Sequence, residues 1–148
     1  MSNQFKAPSC AMALIFRKNK SEVLLTKRQN TGYMDDLWDC TVCGHVEENN
    51  SMKDTIVIEA KEELGIEVLK EDLKFAAFTH LRSETAVYFY VYFVIKDYKG
   101  KIEIKEPEKC SELEWFNVED LPKNMIKDRR KAIKEYLKGK NYNEFGWD

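Results

Sequence analysis

Three glutamates in the run IVIEAKEELGI, Glu59, Glu62 and Glu63, are the residues of this sequence best suited to chemistry. On a helix, positions three and four apart are neighbours. The three carboxylates then share one face and repel by roughly 0.2–0.5 kcal/mol per pair. They also fall in the last turns before Gly65, where the helix macrodipole disfavours negative charge. A solvated acidic face with Lys61 nearby is the plain alternative. A helix shaped for stability alone would carry lysine at these positions. A divalent cation converts the repulsion into coordination. Oxygen-only clusters suit hard cations, and Mg²⁺ binds through a few carboxylates together with substrate phosphates. The expectation is a Mg²⁺ site, open to Mn²⁺, with a phosphate on its far side.

The elements that must position these groups can be read outward from the helix. It is expected over about Ser51–Leu64, with Ser51 as N-cap and Asp54 completing a capping pattern. Met52, Ile56 and Ala60 recur at four-residue intervals with Ile58 and Leu64 beside them, and Gly65 is the stop. Before it, CAMALIF (Cys10–Phe16) reads as a buried strand, RKNKSE as a turn and EVLLTKR (Glu22–Arg28) as the returning strand. QNTGYMDD is a loop. LWDCTVC (Leu37–Cys43) alternates as a third strand that ends at Gly44, and GHVEENN is a second loop. After the helix, IEVL, LKFAAFTHL, TAVYFYVYFVI and KIEI are strand-like, with DYKG a turn between the last two. SELEWFNVEDLP is a strand and a short turn. A final amphipathic helix over about Ile126–Leu137 carries Ile126, Ala132, Ile133, Tyr136 and Leu137. With no repeat or linker, residues 1–148 read as one α+β domain.

Composition narrows the function classes. Of the 148 residues, 43% are hydrophobic and 34% charged, the balance of a soluble globular domain. A net charge of −2 supplies no basic stripe for duplex nucleic acid. No apolar run is long enough to span a bilayer, and MSNQFKAPSC lacks the pattern of a signal peptide, so a cytoplasmic location is expected. Cys10, Cys40, Cys43 and Cys110 are then expected as reduced thiols. Cys40 and Cys43 form a C-x-x-C pair, but without a second such pair and with two histidines in the chain, a structural role outweighs a zinc site.

The segment Gly44–Ile66, GHVEENNSMKDTIVIEAKEELGI, resembles a Nudix box, G-x5-E-x7-R-E-U-x-E-E-x-G-U with U a bulky aliphatic residue. Gly44, Glu59, Glu62, Glu63, Gly65 and Ile66 match, and Ala60 stands at a bulky position. VLLTKRQNTGYMDDLWDCTVCGHVE and EPEKCSELEWFNVEDLP are similar to segments flanking the box in many members. Asn50 stands where the pattern has glutamate, and Ile58 where it has the arginine that orients the catalytic glutamate.

The resemblance implies a Nudix fold, an α/β/α sandwich with a mixed sheet between helices. It implies Mg²⁺-dependent hydrolysis of a pyrophosphate bond in a nucleoside diphosphate linked to another moiety. Glu59, Glu62 and Glu63 would be metal ligands, and Glu59 or Glu63 the base. The main-chain carbonyl of Cys43 would join the shell, as would Glu106, with Glu108 second. Arg28, Lys27 and Tyr33 would bind substrate. Trp38, Trp115 and His80 are read as structural, and His45 as a loop or backbone hydrogen-bonding residue. The partner would be a nucleotide-like diphosphate, and the protein a monomer or homodimer. Two other readings stand beside this one. The departures at Asn50 and Ile58 suit a Nudix-fold binding module without turnover. LWDCTVCGHVE is also similar to the run that carries the catalytic cysteine of isopentenyl diphosphate isomerase, which would give Cys43 that role; that enzyme's N-terminal histidines have no counterpart here.

Overall fold

The computed structural model describes residues 3–148. The described strands are β1 (Ser9–Leu14), β2 (Phe16–Arg17), β3 (Glu22–Arg28), β4 (Trp38–Cys40), β5 (Val42–His45), β6 (Leu73–Arg82), β7 (Val87–Ile95), β8 (Cys110–Asn117) and β9 (Tyr142–Phe145). The helices are α1 (Met52–Leu64) and α2 (Lys127–Leu137).

Alternation along two strands sets the layers. From β1 and β7, Cys10, Met12, Leu14, Tyr90, Tyr92 and Val94 enter one apolar cluster. Ala11, Ala13, Val91, Phe93 and Ile95 enter the other. Strands buried on both faces belong at the centre of a sheet covered on both sides. β1 and β7 pair in parallel, and the sheet runs β5-β1-β7-β6-β9. Helix α1 covers one face through Ile56, Ala60 and Leu64. Helix α2 covers the other through Ala132 and Ile133. This is the mixed sheet between helices that the sequence leads one to expect. A second, antiparallel sheet forms around β3, which pairs with β8 and, on its other edge, with β2 and β4. No helix among the described residues is long and apolar enough to cross a membrane.

Several elements differ from the sequence expectation. LWDCTVC is two strands, not one: β4 pairs with β3, and β5 pairs with β1 in the other sheet. In one flat strand Trp38, Cys40 and Val42 would share a face. Instead Val42 lies in the opposite cluster from Trp38 and Cys40, because the chain changes sheets at Thr41. CAMALIF likewise splits, with β1 ending at Leu14 and β2 beginning at Phe16. IEVL and KIEI are not strands. Glu67 makes a single bridge to Lys99, while Ile66 and Val68 simply bury beside α1. The sequence reading misses β9, which adds to β6 in parallel.

Helix α1 has the expected ends. Ser51 accepts a hydrogen bond from the Asp54 N–H at 3.0 Å, and Asp54 accepts from the Ser51 N–H at 2.9 Å. Gly65 adopts φ 71°, the left-handed conformation that closes a helix without Cβ strain. Ile58 is not part of the buried stripe; it is 41% exposed.

Candidate functional site

Where β5 hands over to α1, a cleft of about 450 Å³ opens between the two sheets. Glu59 and Glu63, one helical turn apart, line it together with Gly44, Glu106 and Lys109. Glu63 is mostly buried, and its Oε2 is buried without any hydrogen-bond partner. Burial, contact with the Glu59 carboxyl and the charges of Glu59 and Glu106 push the Glu63 carboxyl up to about 10, against the pull of the Cys43 N–H. Glu59 is also raised, by burial first and then by the charges of Glu62 and Glu106. Two carboxyls in contact in this way favour a state in which one of them stays protonated.

Gly44 is part of the same device. A Cβ there would lie 2.6 Å from Cγ of Glu59 and 2.9 Å from its Cδ. The absent side chain is the space that Glu59 fills. Among the described residues no lysine, arginine or histidine forms an ion pair with Glu59 or Glu63. Ile58 faces an outer groove with Asn50, Val57 and Leu69, away from the cleft. Glu59 is therefore positioned by Glu63 and the Gly44 cradle rather than by an arginine.

Other residues singled out from the sequence separate into those the cleft gathers and those it does not. Glu106 lines the cleft and Glu108 does not. Glu62 lies on the exposed flank and acts on Glu59 through its charge. Lys27 lies outside the cleft, paired with Glu112 at 3.4 Å. Arg28 lines it, but its guanidinium is engaged within the protein. It donates to Asp39 at 3.1 Å, to the Tyr33 carbonyl at 2.8 Å and to Thr31 Oγ1 at 3.1 Å. Trp38 packs edge-on against Phe116, Trp115 lies under Arg17, and His80 packs beside Trp147. Cys43 is half-buried, and its thiol is pushed up, first by desolvation and then by the Asp39 charge. His45 contacts Cys10, 3.5 Å from its Sγ, rather than Cys43. Cys43 and His45 both line the cleft with Glu59 and Glu63.

A second cavity of about 440 Å³ adjoins the cleft and shares Arg28, Thr31, Cys43, Gly44 and His45 with it. The rest of its lining includes Tyr33, Tyr88, Tyr90 and Arg129. Arg129 is 2% exposed. Its Nε donates to Asp39 at 3.0 Å, and its Nη1 donates to Asp128 at 2.8 Å and to the Tyr33 hydroxyl at 3.4 Å. Asp39, itself buried, thus ties β4 to α2 and to the loop that carries Tyr33. The sequence reading misses this network. A signal was present: Arg129 lies three residues after Ile126 and four before Ile133, on the buried stripe of α2.

The donor set fits a hard divalent cation. Among the described residues no three His, Cys, Asp or Glu side chains already stand in ligating geometry. What is present is a half-buried carboxyl pair with one orphaned buried oxygen, and a Glu106 charge that acts on both. Buried polar atoms of native proteins are normally satisfied. A cation would satisfy Glu63 Oε2 and ionise the pair. Two carboxylates completed by substrate oxygens and water is the Mg²⁺ pattern.

Comparisons with known proteins bear on the family of the chain. A family model for the NUDIX domain matches residues 6–136. An 8-oxo-dGTP diphosphatase of Buchnera aphidicola subsp. Schizaphis graminum (strain Sg) is 28% identical over 133 residues, covering 86% of this chain and 97% of its own. Among solved structures, a MutT NUDIX hydrolase from Burkholderia pseudomallei superposes with a TM-score of 0.76 at 20% identity, over 88% of this chain and 98% of its own. A MutT protein from Methanosarcina mazei Go1 gives 0.75 at 18% identity, over 92% and 98%. The chain belongs to the NUDIX domain family.

Proposed function

We propose that the protein performs Mg²⁺-dependent hydrolysis of a pyrophosphate bond in a nucleoside triphosphate or a nucleoside diphosphate conjugate. The observation that carries this reading is the Glu59–Glu63 carboxyl pair, half-buried beside Gly44 with Glu63 Oε2 unpartnered. Glu59, Glu63 and Glu106 would hold the cation with the Cys43 carbonyl, and Glu62 adds negative charge beside Glu59. A cation held there would supply charge neutralisation at the phosphate and a more acidic bound water. Glu59 or Glu63, ionised once the shared proton is released, accepts the proton of that water. Phosphoryl transfer asks the protein mainly for positioning and charge stabilisation.

The adjoining cavity suits the nucleoside. Its tyrosines offer faces for an aromatic base, and Tyr33 is held by two arginines, Arg28 at 5.2 Å and Arg129 at 5.8 Å from its ring centre. The Buchnera relative's activity makes 8-oxo-dGTP one compound to test. The assay is phosphate release from nucleoside triphosphates, including 8-oxo-dGTP, and from nucleoside diphosphate conjugates. It is run with Mg²⁺, Mn²⁺ or chelator, and with added pyrophosphatase or phosphatase to reveal the products. Metal-dependent turnover of one class is expected, and Glu63→Gln abolishes it while the fold is retained. Turnover in chelator, or an active Glu63→Gln enzyme, would overturn the assignment.

A further inference from the structure

The cleft is acidic. Glu47, Glu59, Glu63 and Glu106 line it beside an Asp39 already paired with Arg28 and Arg129, and a diphosphate brings further negative charge. A single Mg²⁺ offsets only part of this, so a cationic side chain is needed at the wall. Arg28 and Lys109 are the lysine and arginine residues that line the cleft. Arg28 is committed to Asp39, Tyr33 and Thr31. Lys105, close by, pairs with Glu103 at 3.1 Å. Lys109 has no ion-pair partner among the described residues, and its charge is felt at Glu59.

We infer that Lys109 grips the phosphoryl oxygens of the substrate, the role that the sequence pattern assigns to Arg28 and Lys27. The inference rests on the proposed function and adds a residue to it. The backbone supports the assignment. The 106–110 turn closes on itself, with the N–H groups of Lys109 and Cys110 donating to the Glu106 carbonyl at 2.9 and 3.0 Å. It is also laced to the loop after β3. The Gln29 N–H donates to the Lys109 carbonyl at 2.9 Å, Gln29 Nε2 to Pro107 O at 2.6 Å, and Asn30 Nδ2 to Glu108 O at 3.2 Å. One rigid turn therefore presents Glu106 towards the cation and Lys109 towards the phosphate. An ammonium on a flexible stem acts as a point charge that can follow a phosphoryl group along the reaction.

The test uses dGTP for turnover and its α,β-methylene analogue for binding, both with Mg²⁺, on wild type, Lys109→Met, Lys109→Arg and Glu63→Gln. Lys109→Met is expected to weaken analogue binding and raise KM by about ten- to a hundredfold, the range of a charge-assisted hydrogen bond. Its melting temperature stays at the wild-type value, because the side chain is exposed and unpaired. Lys109→Arg restores binding to within a few-fold, and raising ionic strength weakens wild type more than Lys109→Met. Binding by Lys109→Met within twofold of wild type would overturn the assignment, whatever Glu63→Gln does. If wild type neither binds the analogue nor hydrolyses dGTP, while Glu63→Gln behaves identically, the nucleoside triphosphate reading fails and the Lys109 assignment falls with it.

Discussion

Replacing Gly44 by alanine moves one carbon atom into the space that Glu59 occupies. The new Cβ would sit 2.6 Å from Glu59 Cγ, 2.9 Å from Cδ and 3.0 Å from Oε1. Ordinary van der Waals contact begins at 3.4 Å, so Cγ must retreat by roughly 0.8 Å. Cγ is near the root of the side chain, and the carboxyl must move with it. Gly44 does not adopt the left-handed backbone conformation, so the substitution adds no backbone strain and tests the steric contact alone. The cost in stability should be about 1 kcal/mol, at the low end of overpacking. The cost in rate should be larger. A 1 Å misplacement of a reacting group costs about a hundredfold, and the Glu59–Glu63 contact is disturbed as well. The assay is kcat at saturating Mg²⁺ and substrate beside a thermal melt. A Gly44→Ala enzyme with kcat within threefold of wild type would refute the argument that this cradle positions a catalytic carboxylate. A large loss of both folding and activity would show instead that the contact is structural.

Removing the Glu63 charge has a pH signature. Its carboxyl rises from the ordinary 4.5 to about 10 in the fold, so folding favours the neutral form. That stabilisation is complete below about 4.5 and is lost as pH rises towards about 10. Thermal melts in chelator should therefore show Glu63→Gln gaining on wild type between pH 5 and 9, with Mg²⁺ narrowing the gap by stabilising wild type alone; parallel curves would count against the half-buried pair. Because Glu63 already holds Glu59, Ile58→Arg should change kcat by less than about threefold, and a gain of a hundredfold in steady-state kinetics would show that the missing arginine limits the natural protein. Asp39→Ala leaves the buried Arg129 with Asp128 alone and should cost about 3 kcal/mol in urea unfolding; a loss under 1 kcal/mol would remove the network from the account of stability.

Which parts of this were visible in one dimension follows from the range of the interactions involved. Helix α1 was legible from Ser51 to Gly65 because capping and the four-residue repeat are local, and the spacing of Glu59 and Glu63 follows from the same geometry. The Gly44–Ile66 pattern carried the fold class and the hydrolytic chemistry. The sheet change at Thr41 was not legible, because the alternation of Trp38, Cys40 and Val42 is the same whether one sheet or two receives it. Nor were the roles of the cations. Lys27, Arg28 and Lys109 are equivalent as letters, and only partners distant in sequence separate them: Glu112 for Lys27, Asp39 for Arg28, and none among the described residues for Lys109. Asp39 and Arg129 meet across 90 positions of chain. Residue type and spacing pointed to the carboxylates proposed to bind a cation; burial and long-range pairing decided which carboxyl oxygen is left unsatisfied and which cation lining the cleft is left unpaired.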